Sequence, residues 1–219
     1  MLDAVLSLVA PHVCLQCKAE GSLWCAACRT TAPLAAERCY RCHALSNGSR
    51  TCKSCRSASP LYSVQAATRY EGCAKQIIWK LKFDRAKAAA ETLAEVMADR
   101  LTPAVDMVIV PVPTSTSRVR QRGYDQATLI ARYFARHAGQ KPVPALMRLG
   151  RQQQHTAARA QRLSQLSHAY IVPRPELVTG RYVVLVDDVI TTGATLEAAA
   201  RTLRAAGAKR VSAIVFAQA

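Results

Sequence analysis

The chain has 219 residues, enough for one ordinary α/β domain with a small appendage. Half of it is apolar, which excludes global disorder, and no apolar run approaches the roughly 20 residues needed to span a bilayer. Lys and Arg outnumber Asp and Glu by 30 to 14, a formal charge of +16, so anionic partners are favoured: nucleic acid, phosphorylated metabolites or an acidic membrane surface.

Residues 2–9 are apolar but are interrupted by Asp3 and lack a basic leader. They read as a short amphipathic helix ending near Pro11 rather than as a secretion signal, and the expected location is cytoplasmic. Eight of the nine cysteines follow between Cys14 and Cys55. Composition changes near residue 60, which gives an expected small module over 1–58 and a larger domain over 61–219, joined by a Ser/Ala/Pro stretch. In the larger part, strand patterns over 62–70, 108–112, 182–186 and 211–216 alternate with helical patterns over 75–81, 87–101, 125–138 and 194–206. Strands separated by helices of this length predict an α/β fold with a parallel sheet covered on both faces.

The small module is too poor in aliphatics to be held by core burial alone. Its cysteines form four Cys-x-x-Cys units: Cys14/Cys17, Cys25/Cys28, Cys39/Cys42 and Cys52/Cys55. Each unit can place two thiolates on one ion, and two units complete a tetrahedral structural zinc site, so about two Zn²⁺ are expected. Four disulfides are the competing reading, which a cytosolic chain disfavours. Sequential pairing closes the shortest loops; an interleaved cross-brace also satisfies the spacing. Cys73 stands apart and reads as a packing residue.

The most informative segment runs from Val183 to Thr195. A buried strand ends in two carboxylates, Asp187 and Asp188, and turns through Val189, Ile190, Thr191, Thr192 and Gly193 into a helix starting at Ala194 and Thr195. Backbone N–H groups around Gly193 and at the helix start suit a phosphate. The two carboxylates are the candidate catalytic residues, suited to vicinal hydroxyls of a sugar or to a bound Mg²⁺. An acidic strand end followed by a capped helix with no ligand is the bland alternative.

This segment resembles the phosphoribosyl pyrophosphate (PRPP) signature of type I phosphoribosyltransferases. The resemblance implies that Asp187 and Asp188 contact the ribose and that residues 189–195 hold the 5′-phosphate. With cysteine pairs ahead of such a domain, the chain resembles the ComF competence-protein family, which carries a double zinc ribbon before a phosphoribosyltransferase-like domain. Lys80-Leu81-Lys82-Phe83, Pro111-Val112-Pro113, Arg122-Gly123-Tyr124-Asp125-Gln126, and Gln154 with Arg162 and Ala169-Tyr170 resemble further elements of that family.

Between Pro111 and Tyr170 lie ten basic residues and one acidic residue, Asp125. By position in the family, residues 114–122 imply a pyrophosphate loop and residues 148–166 a cover over the site. Candidates for pyrophosphate or DNA phosphates are Thr114, Arg118, Arg120, Arg122, Lys82 and Arg162; arginine donates bidentate hydrogen bonds to such groups. A solvated basic face is the competing reading. Two functions follow. One is transfer of a phosphoribosyl group from PRPP, with Mg²⁺, to an acceptor the sequence does not name. The other is a non-catalytic DNA-binding or scaffold protein of the competence machinery, with single-stranded DNA or a DNA-uptake helicase among its partners.

Overall fold

The computed structural model describes residues 12–84, 86–101, 103, 106–149 and 169–219. Six strands are found among them: β1 (Val64–Arg69), β2 (Met107–Pro111), β3 (Met147–Arg148), β4 (Tyr170–Ile171), β5 (Tyr182–Ile190) and β6 (Arg210–Gln218). The helices are α1 (Ala26–Thr30), α2 (Lys53–Arg56), α3 (Gly72–Phe83), α4 (Ala88–Arg100), α5 (Thr116–Arg122), α6 (Gln126–His137) and α7 (Ala194–Ala205). The main sheet is parallel throughout in the order β1-β6-β5-β2. β3 and β4 form a separate antiparallel pair. No helix of the described residues is long and apolar enough to cross a membrane.

Side chains alternate across a strand, and here both faces are covered. On one face Val184 and Val186 of β5 and Ile214 and Phe216 of β6 pack with Ile77 and Leu81 of α3, Leu93 and Met97 of α4 and Ile130 and Phe134 of α6. On the other, Val183 and Leu185 pack with Val211, Ala213 and Val215 and with Leu196, Ala199 and Leu203 of α7. Burial on both sides is why these strands read as continuous aliphatic runs.

The cysteine-rich segment is not a separate body. Leu23 and Trp24 belong to the first face, with the Trp24 ring edge-on to Phe216 at 6.4 Å, whereas Tyr40 and Leu61 belong to the second. Between them the segment follows the free edge of β1: Thr51 N–H donates to the Tyr62 carbonyl, and Arg69 N–H and the Thr68 hydroxyl donate to the Pro33 carbonyl. Arg100 ties the two parts together by donating to the carbonyls of Arg29, Ala32 and Ala67, and Arg29 pairs with Glu95 at 2.5 Å. Truncating a buried Trp to Ala costs about 3–5 kcal/mol, so ribbon and sheet stabilise one another.

The expected strands and helices of the larger part are present, β3, β4, α1 and α2 are additional, and two further differences concern the site. β5 continues to Ile190, four residues past the aliphatic run, so both carboxylates lie within the strand. Residues 116–122 form helix α5 rather than an open loop, closed by Gly123 at φ 83°. The expected helix at 2–9 and most of the expected cover at 148–166 lie outside the described residues, as does Arg162.

Candidate functional site

The two cysteine clusters are sequential. Cys14, Cys17, Cys25 and Cys28 form one group and Cys39, Cys42, Cys52 and Cys55 the other, with the sulfurs of each lying within 4.8 Å of one another. A tetrahedral ion with Zn–S bonds of about 2.3 Å needs sulfurs about 3.8 Å apart. The Sγ atoms of Cys17 and Cys25 are 3.6 Å apart, and those of Cys42 and Cys52 are 3.5 Å apart. Both groups therefore fit a structural zinc ion, and neither interleaves. Burial opposes ionisation of Cys14, yet N–H groups of Cys17, Cys25 and Gln16 bring its thiol down to about 6. At Cys52 the Ser54 hydroxyl and the Cys55 N–H do the same, to about 6. Cys73, at the start of α3, packs against the core, and burial pushes its thiol up to about 11.

The second site lies at the carboxyl ends of β5 and β2, where ligands gather in open parallel sheets. Strand alternation sends the adjacent carboxylates to different neighbours. Asp188 is 4% exposed, and its Oδ2 accepts from Lys82 Nζ of α3 at 2.8 Å and from Gln126 Nε2 of α6 at 2.9 Å. Gln126 in turn accepts from Arg122, the last residue of α5, whose guanidinium stands 5.8 Å from the Phe83 ring. The Tyr124 hydroxyl donates to the Leu81 carbonyl and pins the α5–α6 turn to α3. Asp125 caps α6 by accepting from Thr128 N–H at 3.0 Å, and also accepts from Thr114 N–H at 2.7 Å.

Asp187 faces the other way. With Val189, Ile190, Thr191, Thr192, Gly193, Ala194, Thr195 and Leu196 it lines a polar hollow at the start of α7. Gly193 holds φ +78°, a backbone region that side chains disfavour, and this turn sets the start of α7 beside the hollow, where Ala194 N–H donates to the Thr192 hydroxyl at 3.4 Å. Burial, and after it the charge of Asp188, raises the Asp187 carboxyl well above the usual carboxylate range.

The consequence for stability has a definite sign. An unfolded Asp ionises near 3.9. Between there and its raised folded value, the folded state binds more protons than the unfolded one, so stability falls as pH rises. Asp187→Asn removes that loss. In protein without ligand the variant is expected to melt above the wild type at pH 8, with the difference vanishing near pH 4. Thermal unfolding across that range checks this, and a variant that melts lower at pH 8 would contradict it.

The basic candidates separate in space. Arg122 is buried within the Asp188 group, whereas Arg118 and Arg120 are exposed on α5. Burial, followed by the charge of Arg118, lowers the Arg122 guanidinium. Lys82 comes to Asp188, and Thr114 sits beside Asp125 with its N–H already satisfied. Sequence reasoning assigned no role to Gln126, Tyr40 or Glu197. The Arg-Gly-Tyr-Asp-Gln motif was the available signal for Gln126; Tyr40 and Glu197 gave none.

Residues 87–219 match the family described as "Phosphoribosyl transferase domain". The chain is 31% identical over 140 residues to competence protein ComFC of Bacillus subtilis, covering 61% of this chain and 55% of that protein. It therefore spans about half the length of that relative. It is 27% identical over 219 residues to the DNA utilization protein YhgH of Escherichia coli O6:H1, covering 93% of this chain and 96% of that one. A solved allosteric regulatory enzyme of purine biosynthesis is similar at TM-score 0.43 and 24% identity, over 59% of this chain and 25% of that one. The match over 87–219 takes in α4 to β6, both carboxylates and the loop after them, and by it the chain belongs to the phosphoribosyl transferase domain family.

Proposed function

We propose that the chain binds PRPP with Mg²⁺ at the carboxyl end of β5 and transfers its phosphoribosyl group to an acceptor, in the service of DNA utilisation in the cytoplasm. The observation that carries this reading is convergence: Asp187, the 189–195 loop and the Lys82–Asp188–Gln126–Arg122 chain meet at one edge of the sheet. The loop holds the 5′-phosphate, Asp187 and Asp188 serve the ribose hydroxyls, and Arg122 with exposed Arg118 and Arg120 faces the pyrophosphate. The adjacent carboxylates of Asp187 and Asp188 would hold a divalent cation at the strand end, whose charge would offset the repulsion from Asp188 that adds to burial in raising Asp187. When bound, Mg²⁺ neutralises charge on the pyrophosphate.

Transfer breaks the C1′–O bond, with its electron pair leaving on pyrophosphate, and forms a bond from C1′ to the acceptor, which loses a proton. The chain's own part is positioning and stabilising the departing anion with fixed cations. Pyrophosphate release from PRPP and Mg²⁺, measured across nucleobase and amine acceptors, tests the reaction. Release with one acceptor class supports the enzyme; PRPP binding with no release from any acceptor leaves a binding or scaffold protein.

A second reading, single-stranded DNA binding, is favoured by one arrangement. Trp79 and Phe83 on α3 are 54% and 61% exposed with ring centroids 5.7 Å apart, and the Arg122 guanidinium of α5 stands 5.8 Å from the Phe83 ring. Exposed rings near cations suit stacked bases and their phosphates. Trp24, the other tryptophan, is buried, so quenching would report on Trp79. Arg118→Ala with Arg120→Ala is expected to flatten the slope of log K against log salt by about 1.4, roughly 0.7 per lost phosphate contact. Wild-type protein without affinity for a single strand at low salt would end this reading.

A further inference from the structure

We infer that Tyr40 is a positioning residue that makes the second cysteine cluster part of the phosphate loop, so that metal held by Cys39, Cys42, Cys52 and Cys55 sets the loop's affinity for a phosphoryl group. The inference rests on the reading of 189–195 as a phosphate cradle.

Tyr40 lies in the turn between Cys39 and Cys42, next to a fully buried ligand sulfur, and its ring is 4% exposed. That ring does not pack within the ribbon. It lies under the loop: a Cβ added to Gly193 would come within 2.8 Å of Tyr40 Cδ2 and 2.9 Å of Cε2. Real Cβ atoms do not approach so closely, so glycine is required here by the ring as well as by φ. The ring shares its cluster with Ile190 and Leu196, which flank the loop on either side.

The hydroxyl adds a second hold. It donates to Glu197 Oε1 at 2.8 Å and pairs with Ser59 Oγ at 2.6 Å. Arg41, in the same turn, places its guanidinium 3.4 Å from that glutamate oxygen. Glu197 belongs to the first turn of α7, and its N–H donates to the Gly193 carbonyl at 2.9 Å. Residues 40 and 41 thus grip the loop through its glycine and through the helix that begins there.

Within the turn carrying those two residues, His43 N–H donates to the Cys39 carbonyl and Cys39 N–H to the Ala44 carbonyl, while the Arg38 guanidinium donates to the His43 carbonyl and Arg41 to the Ala58 carbonyl. The ends of that turn are also tied by four sulfurs brought within 4.8 Å of one another. A bound cation joins the four sulfurs through direct bonds, and without it no covalent or coordinate link holds the two Cys-x-x-Cys units together. Loss of the ion frees the turn, withdraws the ring from beneath Gly193 and leaves the loop to be ordered by its ligand.

Coupling between sites is reciprocal, which supplies the test. In the wild-type chain, PRPP is expected to tighten zinc at the second cluster about tenfold, measured by chelator competition, and zinc to tighten PRPP by the same factor. Tyr40→Phe keeps the ring and should retain most of this linkage. Tyr40→Ala, verified to carry two zinc ions, should lose it, weaken PRPP about tenfold and speed deuterium exchange across 189–196. Zinc-loaded Tyr40→Ala with wild-type exchange in 189–196 overturns the inference, as does wild-type zinc affinity that is indifferent to bound PRPP. Should the wild type bind no PRPP, the cradle reading fails by itself, and the exchange comparison between zinc-loaded and zinc-stripped wild type still decides the coupling: faster exchange at 189–196 on stripping sustains it, and no change defeats it.

Discussion

Replacing Cys39 and Cys52 with Ser is expected to abolish the fold of the cysteine-rich segment and to lower the melting temperature of the whole chain. Structural zinc in a small module contributes on the order of 10 kcal/mol of coupled folding free energy. The segment has little to set against its loss. Its helices α1 and α2 are single turns, and its large buried side chains, Trp24 and Tyr40, pack on the sheet rather than on each other. Because Tyr40 and Leu61 fill the α7 face of the sheet and Trp24 the opposite face, release of the ribbon opens both. Metal analysis should find about two zinc ions per wild-type chain and fewer in the variant, with a lower, broader thermal transition. Metal-free protein that melts like the zinc-loaded form would contradict this account of the ribbon.

Asp188→Asn is expected to act twice, once on stability and once on ligand. The substitution keeps an acceptor for Gln126 but leaves Lys82, 23% exposed at its side chain, without a counter-charge. Breaking a buried ion pair costs about 3–5 kcal/mol; with Lys82 partly in solvent, about 2 kcal/mol is a fair discount. For a chain of this size that lowers the melting temperature by about 4–8 °C. Lys82→Met in the same chain removes the stranded cation and should recover most of the loss. The ligand effect should not recover: a lost charged hydrogen bond at the site costs about 1.5–3 kcal/mol, roughly tenfold to a hundredfold in PRPP affinity. Recovery of both stability and affinity in the double variant would show that Asp188 serves only to balance Lys82.

Much of this arrangement was legible in the sequence, for physical reasons that also mark its limits. Strands buried on both faces must be aliphatic at every position, so β2, β5 and β6 stand out as runs ended by turns. The end of β5 was misjudged because a ligand-facing strand end is polar, and hydropathy reads Asp187 and Asp188 as the end of the strand. Helix α5 escaped notice for a related reason: Arg118, Arg120 and Gln121 are exposed, which leaves too short an apolar stripe to register. Four Cys-x-x-Cys units announce two metal sites, yet their spacing allows either pairing, and only the folded geometry brings neighbouring units together. The contact of Tyr40 with Gly193 had no local signature. A lone aromatic in a metal-binding turn and a glycine in a phosphate loop are each sufficiently explained by their own surroundings, and only the docking of the ribbon on α7 joins them.

Calorimetric titration of PRPP with Mg²⁺ into zinc-loaded wild-type chain tests the central claim most directly. The account expects one saturable site per chain, with affinity reduced tenfold to a hundredfold in Asp187→Asn, in Asp188→Asn and in Thr192→Val, which loses a hydroxyl of the loop. A wild-type chain that gives no saturable heat, or variants that bind PRPP as the wild type does, would contradict it.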